Sequence, residues 1–306
     1  MKKFILFIFI IIIIPVVTIT FFNKDIIYYK IKYGSINKKN IRVKRLKTGK
    51  ILKIPLEEYI IGVVAGEMPA TFNLEALKAQ AVASRTYVLK RVNTEKDYDV
   101  EDGTGNQVYI DYDQMKEKWK ENYNANLKKV TDAVMSTKGE VIIYDNNLID
   151  ALFFSTSNGY TENSKDVFSS ELPYLVSVKS NWDEKESPVF NSVKEVSTQE
   201  FLFNLGLDTS QNINIKNIER TLSNRIKTLE INGKQYKGTE IRKIFGLRST
   251  CFDIKLQDNK VKFIVTGFGH GVGLSQYGSN GMAKEGYDYK KIIQYYYQNC
   301  KIKKLI

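Results

Sequence analysis

Nineteen consecutive residues without a charge, Phe4 to Phe22, follow Met1-Lys2-Lys3 and divide this chain into an apolar leader and a separate body. A helix rises about 1.5 Å per residue, so the run covers most of a hydrocarbon core about 30 Å thick. It ends Thr18-Ile19-Thr20-Phe21-Phe22, without the small residues at which a signal peptide is cut. One transmembrane helix retained as an anchor is therefore predicted over residues 1–23. Lys2 and Lys3 favour a cytoplasmic N-terminus and an extracytoplasmic body, although Lys24 and Lys30 beyond the span pull against that orientation.

The rest of the 306 residues suffices for one large domain or two ordinary ones, and 43% hydrophobic with 26% charged residues is a balance that folds. The net charge of +12 falls by two when Lys2 and Lys3 are left out, so the body stays basic. That suits an anionic cell wall or lipid surface. The competing reading is compositional, because lysine is spread along the whole chain and not gathered into a block. No nucleic-acid module is recognisable, and no nucleic-acid partner is expected. Cys251 and Cys300 would close a loop of about 50 residues and, if paired, add roughly 4 kcal/mol in the entropy model; the sequence leaves that pairing open. Their spacing fits no zinc motif and His270 is the single histidine, so neither metal nor cofactor is expected.

Periodicity and punctuation predict an α+β body of helices and antiparallel strands around a cleft, with a second, smaller lobe. Residues 24–49 read as tether and first strand, 50–192 as catalytic core, 193–247 as second lobe, and 248–306 as a segment returning to the core. Within the core the sequence predicts a short helix at Leu56–Ala65, a turn, and a longer helix from Leu74 to about Val92, capped by Asn73. A turn over Asp102–Asn106 leads to a strand at Gln107–Ile110. A helix over Tyr123–Ser136 and a hairpin over residues 139–156 follow. Ser197 with Glu200 signals a helix start in the second lobe. Strands at Phe252–Leu256 and Val261–Val265, a glycine cluster and a last helix near Tyr289–Tyr297 complete the chain.

Chemistry concentrates in three places. In Val63-Val64-Ala65-Gly66-Glu67-Met68-Pro69 one carboxylate sits among apolar neighbours at a turn, where desolvation raises its pKa toward the range of a general acid; a capping Glu is the alternative. On the following helix Leu74, Leu77, Ala81, Val82, Val88 and Leu89 form a stripe about 140° wide, with Arg85 at its centre and Lys78 beside it. Such cations either snorkel or face Glu67 or a substrate, and direct contact with Glu67 would oppose its use as an acid. The polar loop Phe153–Asn163, with Ser157, Asn158 and Tyr160, suits sugar hydroxyls as well as an ordinary surface turn. In Gly267–Gly278 five glycines surround His270, which reads as base, substrate contact or structural hydrogen-bonder. Ser275 lacks the G-x-S-x-G elbow of a hydrolase nucleophile.

Three ordered strings, Leu56–Pro69, Leu74–Tyr87 and Gly269–Gly278, closely resemble the stage II sporulation protein D family, and Asp102–Tyr109, Ser157–Asn163 and Leu247–Thr250 look like its motifs. The likeness spans residues 45 to 300. It implies a membrane-anchored peptidoglycan lytic transglycosylase that acts on glycan strands during engulfment of the forespore, with Glu67 as catalytic acid. Lys78, Arg85, Gln107, Ser157, Asn158, Tyr160, His270, Gln276 and Tyr277 are then expected to contact substrate. It also implies two partners: an amidase of the stage II sporulation protein P type, which strips stem peptides first, and a polytopic membrane protein of the M type. The same family includes amidase enhancers, so a glycan-binding activator without catalysis is the alternative.

Overall fold

The computed structural model describes residues 40–93, 95–168 and 170–304; the predicted anchor and most of the tether lie outside the described residues. Among the described residues no helix is long and apolar enough to cross a membrane. They form a mixed α+β structure with five small sheets, two of them holding a parallel pair.

Strand β1 (Asn40–Lys44) buries Ile41 and Val43 and pairs antiparallel with β2 (Ile51–Pro55), Asn40 opposite Pro55. Pro55 ends the ladder, having no N–H to continue it, and opens α1 (Leu56–Glu67). Asn73 caps α2 (Leu74–Arg91), its side chain accepting from Glu75 N at 3.0 Å, as predicted. The expected stripe understates the burial of α2, for nearly every residue from Ala76 to Leu89 is enclosed. The helix runs through the middle of the first core, touched by α1, by α4 (Tyr123–Ser136) and β4 (Glu140–Tyr144), and by two C-terminal helices, α9 (Gln276–Lys284) and α10 (Tyr289–Tyr296). Short alanines and Ser84 on α2 let those elements approach from all sides.

Residues Gln107–Ile110 belong to no strand, where the sequence predicts one. They lie on α1 at Gly62 and Gly66. A Cβ at Gly66 would come within 2.4 Å of Val108 O, and one at Gly62 within 2.7 Å of Ile110 O. Backbone thus packs on a glycine face of a helix, and Ile110 N donates to Gly62 O (3.3 Å) where a sheet partner would otherwise be needed. The helix α3 (Tyr112–Trp119) that follows was missed; Asp111 and Gln114 make its capping box.

The second lobe has its own core around Phe201, Phe245, Phe252 and Phe263, with Phe201 and Phe245 stacked 5.2 Å apart. It contains β7 (Asn191–Ser197), α7 (Thr198–Asn204), an antiparallel sheet of β8 (Ile215–Arg220), β9 (Ile226–Ile231) and β10 (Lys234–Lys237), and α8 (Gly238–Phe245). It also takes in β11 (Phe252–Gln257) and β12 (Lys260–Thr266), because β12 pairs with β7 from Lys260 opposite Ser197 to Thr266 opposite Asn191. The lobe therefore extends past the predicted end at 247. Val261, Phe263 and Val265 alternate inward, each burial worth about 1.5–3 kcal/mol. The chain re-enters the first core through the glycine segment, where β13 (Leu274–Ser275) pairs in parallel with β6 (Phe153–Phe154).

Candidate active site

Glu67 is the last residue of α1, and the close seating of residues 107–110 on Gly62 and Gly66 brings a backbone amide to it. Val108 N donates to Glu67 Oε1 at 2.6 Å, and Gln276 Nε2, from the first turn of α9, reaches Oε2 at a long 3.5 Å. Burial pushes the Glu67 carboxyl above its ordinary value of 4.5, against the opposing pull of those two donors and of the Lys118 ammonium. Lys118 itself is tied to Ala65 O at 2.8 Å and does not contact the carboxylate.

The carboxyl faces a cavity of about 490 Å³ between the first core, the glycine segment and α8. Tyr87 and Arg91, one turn apart on α2, form one wall, with the guanidinium 3.4 Å above the ring centroid. Asn106 and the rings of Phe154, Phe168 and Phe268 line it further, and Arg242 enters from α8. Among the described residues lining this cavity Glu67 is the one carboxylate. Aromatic faces with a few amides and two guanidinium groups suit a hydroxylated, anionic ligand, and a carboxyl whose pKa is raised by burial is suited to protonate a leaving oxygen.

Of the residues expected from sequence, Glu67, His270 and Gln276 meet in this cavity. Arg85 does not. Its guanidinium is fully buried on the other side of α2, bidentate to Glu57 (Nε 3.0 Å to Oε1, Nη2 2.6 Å to Oε2) and bonded to Glu140 O and Val134 O. Centring on the apolar stripe announced burial correctly, but packing supplied Glu57 as partner. Lys78 pairs with Glu75 (2.6 Å) beside Tyr289, away from Glu67. Gln107 is enclosed beneath the site, accepting from Tyr59 Oη at 3.0 Å and donating to Ser84 O. Tyr277 packs edge-on against Phe72, and Tyr160 is exposed outside the cavity.

Ser157 and Asn158 serve the scaffold. The Ser157 hydroxyl donates to Ser180 O and to Asp183, a buried acid that also holds Ser180, Ser275 and the Ser157 amide. Burial raises the Asp183 pKa against these donors. The network joins the loop after β6 to the start of α9, and no sequence signal marked Asp183. With Ser275 given to Asp183, and His270 Nδ1 accepting from Val272 N at 3.1 Å, no serine–histidine pair forms among the described residues. Asn158 Nδ2 donates to Ser223 O at 2.6 Å and so bridges the lobes.

His270 lies between the rings of Phe154 and Phe168, 5.8 and 5.7 Å between centroids. Burial first, then the charges of Arg242 and Arg225, lowers its pKa to about 4. It is therefore neutral at physiological pH and suited to hydrogen bonding. Because it is the single histidine, its ring resonances in a proton NMR titration should show one midpoint near 4; a midpoint near 6.5 would restore it as a proton carrier.

Tyr87, Arg91, Phe168 and Arg242 escaped the sequence reading. Tyr87 and Arg91 share a helix face at i, i+4, a legible spacing; Arg242 comes from the other lobe, which no local pattern indicates. Both cysteines are buried and free.

Comparison with known proteins bears on the family of the chain. A family model described as Stage II sporulation protein matches residues 44–144, and one described as a domain of unknown function matches 113–273. The Stage II sporulation protein D of Bacillus subtilis (strain 168) is 46% identical over 271 residues, covering 86% of this chain and 78% of that protein. Its counterpart from Bacillus amyloliquefaciens is 43% identical over 270 residues with the same coverage. An amidase enhancer of Bacillus subtilis (strain 168) is 30% identical over 77% of this chain and 39% of its own length. With that identity over most of both chains, this protein belongs to the stage II sporulation protein D family.

Proposed function

We propose that this protein is a peptidoglycan lytic transglycosylase of sporulation, with Glu67 as its general acid and base. The observation that carries the reading is one carboxyl group, its pKa raised by burial, on the wall of a cavity whose described lining holds no second acid. Water-adding glycosidases usually need two carboxyls, whereas an intramolecular transfer needs one. Glu67 Oε1 accepts the short Val108 N–H bond while Oε2 has only the long 3.5 Å approach of Gln276 Nε2, so in this reading Oε2 carries the proton. In the first half of the reaction Oε2–H protonates the glycosidic oxygen as its bond to C1 of N-acetylmuramic acid breaks, releasing N-acetylglucosamine O4 as a hydroxyl. In the second half the carboxylate takes the proton of the muramyl 6-hydroxyl as O6 closes on C1. The product is a 1,6-anhydro sugar, and Glu67 is protonated again. In this reading residues 1–23 anchor the enzyme with its body outside the membrane, and a wall amidase and a membrane protein of the same complex work beside it.

The test is mass spectrometry of glycan strands, intact and stripped of peptides, after incubation with the full-length protein in detergent. Fragments ending in 1,6-anhydromuramic acid are expected; reducing ends would mean hydrolysis and defeat the single-carboxyl mechanism. The likeness to an amidase enhancer favours a second reading, a glycan-binding activator. Uncut strands that nevertheless bind, together with stimulation of an added amidase, would establish it instead.

A further inference from the structure

Two arginines of this fold are fully buried, and they differ in one respect. Arg85 has every guanidinium nitrogen bonded. Arg225, at the entry to β9, has none: among the described residues Nε, Nη1 and Nη2 all lack a hydrogen-bond partner. An unsatisfied buried guanidinium is costly, and folds rarely keep one without use.

Arg225 lines a second cavity of about 350 Å³, which shares Phe168, Arg242 and His270 with the cavity of Glu67. The two acids there are already engaged. Glu162 accepts from the hydroxyls of Thr221 and Ser223 and from Asn163 N, and Asp166 accepts from Asn163 Nδ2. Three lysines, Lys165, Lys227 and Lys237, add to the positive lining. The backbone of the glycine segment passes directly over the guanidinium. At Gly271, φ +88°, a Cβ would come within 2.6 Å of Arg225 Cζ, so a side chain there would collide with it.

We propose that Arg225 anchors a carboxylate-binding subsite next to Glu67, and that it holds an acidic group carried by the glycan strand. The proposal rests on the glycan-cleaving or glycan-binding reading of the Glu67 cavity. Alternate sugars of peptidoglycan carry a lactyl ether that ends either in a free carboxylate or in a stem peptide with its own carboxylates. A guanidinium can donate bidentately to either carboxylate, and a pair formed out of contact with water is strong. The shared lining lets one strand span both cavities, with the scissile bond at Glu67.

The experiment is calorimetric titration of the full-length Glu67→Gln protein in detergent, which should bind without turnover. The probes are a muramyl tetrasaccharide with free lactyl carboxylates, its methyl ester, its stem-peptide form and that peptide form fully esterified. Each acid is compared with its own ester, so one subsite is expected to favour at least one acid by about tenfold to a hundredfold, the range of a charged hydrogen bond. Preference confined to the bare lactyl pair assigns the lactyl group, and preference confined to the peptide pair assigns the stem peptide. Adding Arg225→Met should bring that ratio to about one. It should also raise the melting temperature, since an unpaired buried charge is removed. The acid-to-ester comparison needs no Arg225 variant, so it stands even if that variant misfolds. Equal binding of both acids and their esters, or a ratio that survives Arg225→Met, would overturn the subsite while leaving glycan binding intact. Failure of every oligosaccharide to bind would overturn the glycan reading and the subsite with it.

Discussion

Glu67→Gln is expected to lower the rate of glycan cleavage by about 10²–10⁴-fold, the usual contribution of a positioned general acid, without loss of folding. The carboxamide is isosteric and its oxygen can still accept the Val108 N–H. What it lacks is an acidic proton to give the leaving oxygen. In the parent, cleavage requires protonated Glu67, so the rate should fall on the alkaline side as pH passes its raised pKa. Stability should show the same linkage. Because the folded pKa lies above the ordinary 4.5, this group's contribution is fully present below 4.5 and is lost as pH rises through the folded value. Glutamine does not titrate. The variant should therefore melt above the parent at neutral pH, and the difference should close as pH drops below 4.5. Melting curves from pH 4 to 8 and initial rates on stripped strands test both halves; full activity in the variant would remove Glu67 from the chemistry.

Arg85→Ala should cost about 3–5 kcal/mol of folding stability, as removing one member of a buried ion pair does. It strips the Glu57 carboxylate of its bidentate partner and leaves it with Gly139 N–H at 3.3 Å. The carbonyls of Val134 and Glu140 each lose the guanidinium as a donor, Val134 O keeping Thr137. A domain held by some 5–15 kcal/mol would then be near its limit. A double replacement, Arg85→Met with Glu57→Leu, should recover most of the loss, because both charges leave together. Urea midpoints measure this directly. Activity per folded molecule should stay near the parent's; a stable Arg85→Ala protein that has lost cleavage would return Arg85 to the cleft.

Arg85 also marks the limit of a periodicity argument. The stripe on α2 said that a cation points inward, and it does. Inward from a helix enclosed on all sides includes the directions of α1, α4, β4 and the C-terminal helices, and the pattern has no means of choosing among them. Gln107–Ile110 shows a related limit. Its alternation is that of a strand, yet the surface it meets is a helix bared by Gly62 and Gly66, a pairing that depends on residues more than 40 positions earlier. The polar loop at Ser157 looked like a sugar contact because hydroxyls serve a buried acid and a ligand equally well; Asp183, 26 positions away, takes this one.

What the sequence determined by itself was local. Helix α2 and its Asn73 cap, helix α4, the alternating strands β11 and β12, and an acid at the end of α1 rest on interactions within a few residues. The ordered motifs around them carried family membership. Which donor meets Glu67, which acid meets Arg85, which network absorbs Ser157 and why Arg225 meets no hydrogen-bond partner among the described residues were decided by the tertiary structure. The physical reason is that burial obliges each polar group to find a partner within about 3 Å, and that partner arrives from whichever distant segment the packed cores bring there.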